Sequence, residues 1–286
     1  MNKITLALFS MLLLNIYILG SKTSESDEIT ICHDPATEEF AAFAMDKDFL
    51  NEHKDPIPNP YKVIKGKSIT FDTPDGQKGN ALYFKSKKKS KNYLFVIHEW
   101  YGLNGHIKEQ AEKLFNDLDN VNVMALDLYD GEVADNSQDA GRLMRGVKTA
   151  RAEAIINGAI GFAGDDAKIF TIGWCFGGGW SLQATLLAAG QAEGCVMYYG
   201  MPEKDVAKLK SLNTPVLGIW AAQERWINPK VVAEFEANMK EAGKQLSSNS
   251  YQAGHGFANP SNPIYDKEAA ADAYAKTLDF LNARMR

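Results

Sequence analysis

The sequence predicts an α/β fold, a mostly parallel sheet of about eight strands with helices on both faces. Three observations predict it. From about residue 63 onward, short apolar runs alternate regularly with longer segments of helical periodicity. Several of the runs, such as "NYLFVI", "VNVMAL" and "PVLGIWA", are apolar at nearly every position, as strands covered on both faces must be. Glycine, proline, asparagine and aspartate punctuate the joints between them.

In order, "YKVIKGKSITFDT" and "GNALYFKS" read as paired strands joined by the turn "PDGQ". "NYLFVIHEW" is a buried strand. The helix "IKEQAEKLFNDL" follows, with Ile107, Ala111, Leu114, Phe115 and Leu118 on one face. "VNVMALDLY" is a strand, and the spacing predicts one long helix over about 137–163. The apolar run ending at Trp174 is a strand, and an alanine- and leucine-rich helix begins near Phe176. "GCVMYYG", "TPVLGIWA" and "QLSSNSYQA" are further strands. The helices "PEKDVAKLK", "PKVVAEFEANMKEAG" and "DKEAAADAYAKTLDFLNARM" alternate with them.

Three regions divide the 286 residues. Residues 63–286 form the α/β domain, residues 21–62 an N-terminal extension, and residues 1–20 a targeting segment. In the extension, "TEEFAAFAMDKDFLNEH" can form an amphipathic helix, and "KDPIPNP" breaks it. The first stretch places Lys3 before a largely apolar run from Ile4 to Leu19, then small and polar residues, the layout of a secretory signal peptide. Asn15 interrupts the run, which is short for a bilayer span. Ile18 is large for its place before the expected cut, which leaves an uncleaved membrane anchor open. Ser21 stands where a lipidated cysteine would be required, so the expectation is a periplasmic or secreted protein without lipid.

A net charge of −5 and a single basic cluster, "KSKKKSK" at 85–91, give no footprint for nucleic acid. That cluster reads as a solvated hairpin. Three cysteines, Cys32, Cys175 and Cys195, are too few and too odd in number for a disulfide framework. Cys32 and Cys195 could pair, but the apolar run around Cys195 favours a core thiol. No His, Cys or carboxylate cluster has metal-ligand spacing, and no cofactor is implied.

In open sheets of this kind, functional groups gather at the carboxyl ends of the strands. Gly173, Cys175 and Gly177 form G-x-C-x-G at a strand-to-helix corner, the cysteine form of a nucleophile elbow. The nucleophile occupies a strained turn, so residues two positions away must lack side chains for strand and helix to approach. The first amides of the following helix then favour a thiolate and any oxyanion formed there. The bland reading is a small buried thiol beside a flexible loop. A nucleophile needs a base and an orienting acid. His255, in "AGHGFA", is the only histidine after Cys175. The other four, His33, His53, His98 and His106, precede it and fall outside the order nucleophile, acid, histidine. Glu224 is the only carboxylate in the loop "AAQERWINP" that leaves the strand "PVLGIWA". Asp205 and Asp266 sit in helical patterns that point elsewhere. At the exit of "NYLFVIHEW", Glu99 faces the nucleophile, and the amides of Trp100 and Phe176 can form an oxyanion hole.

The motifs "HEWYGLN", "GWCFGG" and "GHGFA", in this order over roughly residues 65–285, resemble the dienelactone hydrolase family of α/β-hydrolases. The resemblance implies an α/β-hydrolase fold and a triad of Cys175, His255 and Glu224. It also implies a carboxylate, Glu99, that interacts with the resting thiol and keeps it protonated until substrate arrives. Two departures stand out. The family's acid is usually aspartate, and here it is Glu224. The arginines with which the chlorocatechol-pathway members bind a substrate carboxylate are replaced by Gly131 and Asn259. A buried carboxylate without cations would cost several kcal/mol, which argues against dienelactone itself. Tyr101, Trp174, Trp226 and Phe257, with Trp100, adjoin the site in sequence and suggest a more apolar substrate pocket; core packing is the competing account of each.

The expected activity is hydrolysis of a small-molecule carboxylic ester, lactone or thioester by a monomer, with membrane contact only if the first segment stays uncleaved. The alternative is a catalytically weak or silent member acting as an exported binding protein. Acyl transfer to an acceptor other than water would use the same residues.

Overall fold

The computed structural model describes residues 35–285. The targeting segment 1–20 and Cys32 lie outside the described residues. Among the described residues, no helix is long and apolar enough to cross a membrane.

The domain is built on eight strands: β1 (Lys67–Asp72), β2 (Lys78–Phe84), β3 (Asn92–Ile97), β4 (Asn122–Asp127), β5 (Lys168–Trp174), β6 (Ala192–Tyr198), β7 (Val216–Ala221) and β8 (Leu246–Tyr251). They form one sheet in the order β1-β2-β4-β3-β5-β6-β7-β8. β1 and β2 are an antiparallel pair running from Lys67 opposite Tyr83 to Asp72 opposite Lys78, and β2 is antiparallel to β4. From β4 to β8 every neighbour is parallel. Every residue of β4 and β7 is buried, which explains their unbroken apolar runs. β8, at the edge, has no fully buried residue and carries the exposed Ser247, Ser248 and Ser250. The expected sheet is therefore present.

The covering helices are α3 (Gly105–Asp117), α4 (Ser137–Gly146), α5 (Thr149–Ala163), α6 (Phe176–Ala188), α7 (Val206–Lys210), α8 (Pro229–Glu241) and α9 (Lys267–Asn282). Side chains cap many of their starts. Asn104, Asn136, Asp205, Asn228 and Asp266 each accept a backbone N–H in the first turn, worth about 1 kcal/mol apiece.

Four expectations need correction. The long helix over 137–163 is two helices, broken where Gly146 is followed by Val147 and Lys148 in extended backbone. The helix expected from residue 202 begins only at Val206. The Glu203 carboxylate accepts the amides of Lys204 and Asp205, and the Asp205 side chain then caps the helix. The lysine-rich stretch 85–91 is not a hairpin, because β4 lies between β2 and β3 and the chain must cross over it. Cys195, by contrast, is the buried core thiol the sequence favoured, free and near the Ser181 hydroxyl.

The extension is the fourth. In place of one helix it forms α1 (Ala36–Ala42), a 3-10 turn (Phe43–Met45) and α2 (Lys47–Glu52). Asp46 is extended and caps α2 by accepting the Asp48 amide, so one helix stops where the next starts. Ala36, Phe40, Ala44 and Phe49 enter the main hydrophobic core. The domain holds the segment at points along its length. Arg145 donates to the Ala44 carbonyl at 2.8 Å, Lys204 pairs with Glu39 at 2.6 Å, and the Ile57 amide donates to the Ser261 carbonyl at 2.8 Å. Further along, the Tyr61 hydroxyl donates to Glu112 at 2.5 Å.

Candidate active site

Parallel strands end on the same side of the sheet, so β3, β5, β7 and β8 deliver Glu99, Cys175, Glu224 and His255 to one edge. At the end of β5, Cys175 has φ 57° and ψ −123°, a conformation that L residues seldom adopt and that the surrounding structure must enforce. Its amide donates to the Tyr198 carbonyl at 3.0 Å, and its carbonyl accepts from the Gly178 amide at 2.9 Å. A methyl group on Gly173 would lie 1.9 Å from the Gly177 carbonyl oxygen. One on Gly177 would lie 2.4 Å from the carbonyl oxygens of both Ile97 and His98. Backbone occupies the space where side chains would go, which is the physical content of the G-x-C-x-G spacing.

Glu224 and His255 meet because the loops that carry them extend the β7–β8 pairing. Beyond the strands, the Ala222 amide donates to the Tyr251 carbonyl at 2.8 Å and the Gln223 amide to the Ala253 carbonyl at 3.0 Å. The Glu224 carboxylate then accepts from His255 Nδ1 at 2.8 Å and, through its other oxygen, from the Ile227 amide at 2.9 Å. Its side chain is 1% exposed and that of His255 8%. With Nδ1 donating to the carboxylate, Nε2 is the remaining ring nitrogen; it is buried, and the Cys175 side chain is the group left to interact with it.

The electrostatics follow from burial. Burial pushes the Cys175 thiol up. His255 and the Phe176 amide draw it down, while the Glu99 carboxylate adds to the upward push. Burial works against charge on His255, yet Glu224 and Cys175 outweigh it and hold the imidazole well above its ordinary value. Burial pushes Glu99 up to about 7, against the pull of its hydrogen bond from Asn259 and of His255. That bond, from Asn259 Nδ2 to Glu99 Oε2, measures 2.5 Å. The Asn259 oxygen is itself fixed by the Ser261 amide and hydroxyl. His98 is structural. Its Nδ1 donates to the Glu99 carbonyl at 2.7 Å and its Nε2 accepts from the Leu128 amide at 3.1 Å, pinning the β3 exit to β4.

A cavity of about 20 Å³, enough for roughly one water, opens among these groups. Glu99, Trp100, Tyr101, Cys175, His255 and Asn259 line it, joined by His53 and Pro56 from the extension. The largely exposed Lys54 also reaches the lining, a cation that the sequence did not place there. Of the expected pocket aromatics, Tyr101 lines the cavity and its hydroxyl donates to the Lys54 carbonyl at 2.9 Å. Trp174, Trp226 and Phe257 are not on its lining. Trp174 lies against Tyr198, and the fully buried Phe257 lies against Tyr199 and Tyr251; both belong to the core. Trp226 packs instead on Phe43, Phe49 and His53 of the extension. Phe176 begins α6 as expected, with its ring stacked on His98.

The order of residues in the chain excluded His53 as a partner of the nucleophile, yet its ring lies 4.8 Å from that of His255. Phe49 stacks on His53 and meets Trp100 edge-on, and Phe40 stacks on His255 at 6.3 Å. A legible signal was there. Phe40, Phe43 and Phe49 form an apolar stripe too large to leave in water, and His53 falls one turn after Phe49.

A cysteine elbow, an acid after β7 and a histidine after β8, on a sheet of this order, define an α/β-hydrolase. The model of the dienelactone hydrolase family matches residues 80–285, and the chain belongs to that family and is a hydrolase. It is 24% identical over 237 residues to the carboxymethylenebutenolidase of Pseudomonas putida, covering 74% of this chain and 94% of that one. It is also 26% identical over 200 residues to the protein usf of Aquifex pyrophilus, covering 65% and 86% of the two chains. The crystal structure of dienelactone hydrolase from Anabaena variabilis shares the fold, with a TM-score of 0.59 at 13% identity over 78% of this chain and all of that one. These comparisons give no support to an exported binding protein without activity.

Proposed function

We propose that the protein hydrolyses small carboxylic esters, lactones or thioesters through Cys175, with His255 as the base and Glu224 as the residue that orients it. The single observation that carries this reading is the 2.8 Å contact between Glu224 and His255 Nδ1, which leaves Nε2 free beside a cysteine on a strained elbow. His255 Nε2 takes the thiol proton as sulfur bonds to the acyl carbon. The leaving alkoxide departs with that proton. Water then adds to the thioester and gives a proton to His255, which returns it to sulfur as the acid is released. The amides of Phe176 and Trp100 hold the oxyanion in both steps.

Glu99 tunes the thiol. Whenever it is ionised, its charge opposes formation of the neighbouring thiolate, so the resting sulfur stays protonated and less open to oxidation. Gly131 and Asn259 stand where the arginines would be, and Asn259 is already committed to Glu99; the cation on the cavity lining, Lys54, is largely exposed, so the buried part of the site favours uncharged acyl groups. The cavity of about 20 Å³ favours short ones. Export as a monomer through residues 1–20 completes the proposal and is checked by cell fractionation and size-exclusion chromatography.

The direct test is release of p-nitrophenol from p-nitrophenyl acetate by the wild type and by Cys175→Ala. Loss of turnover in the variant supports the nucleophile, and equal rates overturn it.

A further inference from the structure

His53 is more than nine-tenths buried, lines the cavity, and comes from a segment that precedes the region matched by the family model. Its Nδ1 lies 2.6 Å from the Phe49 carbonyl oxygen, which can only accept, so Nδ1 carries the hydrogen and Nε2 presents a lone pair. That Nε2 is buried and has no partner among the described residues. His255 Nε2, by contrast, is the ring nitrogen left to interact with the Cys175 side chain. The two rings meet edge-to-face at 4.8 Å with an interplanar angle of 62°, and both residues line the small cavity, which holds about one water. A buried lone pair without a donor is costly, and one beside a cavity shared with Cys175 and His255 calls for a molecule with a hydrogen to give.

We propose that His53 is a second imidazole of the reaction centre, accepting one hydrogen of the hydrolytic water while His255 accepts the other. This rests on the thioester chemistry proposed above. Before acylation the Cys175 thiol supplies a donor to His255. Once sulfur carries the acyl group it has no hydrogen left, and His255 Nε2 is free to receive one from water. The water oxygen forms its bond to the acyl carbon as one proton passes to His255. The other hydrogen stays on oxygen, hydrogen-bonded to His53, and leaves with the product acid. His53 gains no proton at any step; it orients the water. Packing of Phe49 on its ring and the bond to the Phe49 carbonyl hold it in place. Burial, together with the nearby His255, pushes its pKa down to about 3, so the ring stays neutral at physiological pH.

The prediction separates the two half-reactions. With p-nitrophenyl acetate in stopped flow, the burst of p-nitrophenol reports acylation and the steady state reports water attack. His53→Ala should leave the burst rate within about twofold, lower steady-state turnover by tenfold or more, and accumulate an acetylated Cys175 visible by intact-protein mass spectrometry. His53→Gln keeps an acceptor oxygen and should recover part of the steady-state rate. Unchanged steady-state turnover in His53→Ala, or an equal fall in burst and steady state, overturns the role of His53 and leaves the cysteine mechanism intact. A wild type that forms no acyl-enzyme, and whose turnover survives Cys175→Ala, overturns both.

Discussion

Glu224 holds His255 from a position 31 residues earlier in the chain, carboxylate oxygen to Nδ1 at 2.8 Å, in a pocket where the acid's side chain is almost wholly sealed from water. The longer side chain of a glutamate is anchored here by the Ile227 amide on its second oxygen. Glu224→Gln should keep the fold but lose the charge that orients the ring, lowering kcat/KM by about 10²- to 10⁴-fold. Glu224→Asp, a methylene shorter, should fall in between. Steady-state ester hydrolysis checks both.

Glu99 should govern the reactivity of the thiol. Its carboxylate pushes the Cys175 pKa up, so Glu99→Gln should move the pH midpoint of alkylation by iodoacetamide downward. A shift in the opposite direction, or none, would remove Glu99 from its tuning role.

The same residue makes stability depend on pH. Its folded-state pKa is raised from 4.5 to about 7 by burial, so between these values the folded protein binds the extra proton. The stabilisation from the buried neutral acid is full below about 4.5 and is lost as pH rises through about 7. Glu99→Gln should therefore gain on the wild type across this window, by roughly 3 kcal/mol at most. Urea unfolding midpoints at pH 5 and pH 8 measure the difference.

The elbow should tolerate no side chain. Gly177→Ala places a methyl group 2.4 Å from two carbonyl oxygens of the β3 exit, which would have to move together with Glu99. A cost of about 3 kcal/mol or more is expected, read as a lower thermal midpoint.

Phe49 joins the roof to the floor of the site through contacts with His53, Trp100 and Trp226. Phe49→Ala should cost about 3–5 kcal/mol and enlarge the cavity. The ratio of butyrate to acetate ester hydrolysis should rise in this variant. An unchanged ratio would mean that the roof does not set acyl length.

The strand-and-helix alternation was legible because period-two and period-3.6 burial are local patterns that each segment carries alone. Cys175 was legible because glycines at fixed offsets report a local backbone constraint. Chain order and loop position singled out His255 and Glu224, and the fold brings their side chains together. The break between α4 and α5 was harder to see, since Gly146 and Val147 are each tolerable within a helix and only packing decides. Trp174 and Phe257 misled because adjacency in sequence says nothing of which way a side chain turns at a strand exit.

On its own, the order of apolar runs and motifs settled the class of fold and marked the elbow, because these show as patterns within short stretches of chain. Tertiary structure alone decided what surrounds Cys175. It brought Asn259 to Glu99 over 160 positions, and folded Phe49 and His53 back over a centre that begins at Glu99. The physical reason is that burial of the Phe40, Phe43 and Phe49 stripe can be satisfied against any apolar surface of the right shape. Which surface that is depends on the whole assembled domain.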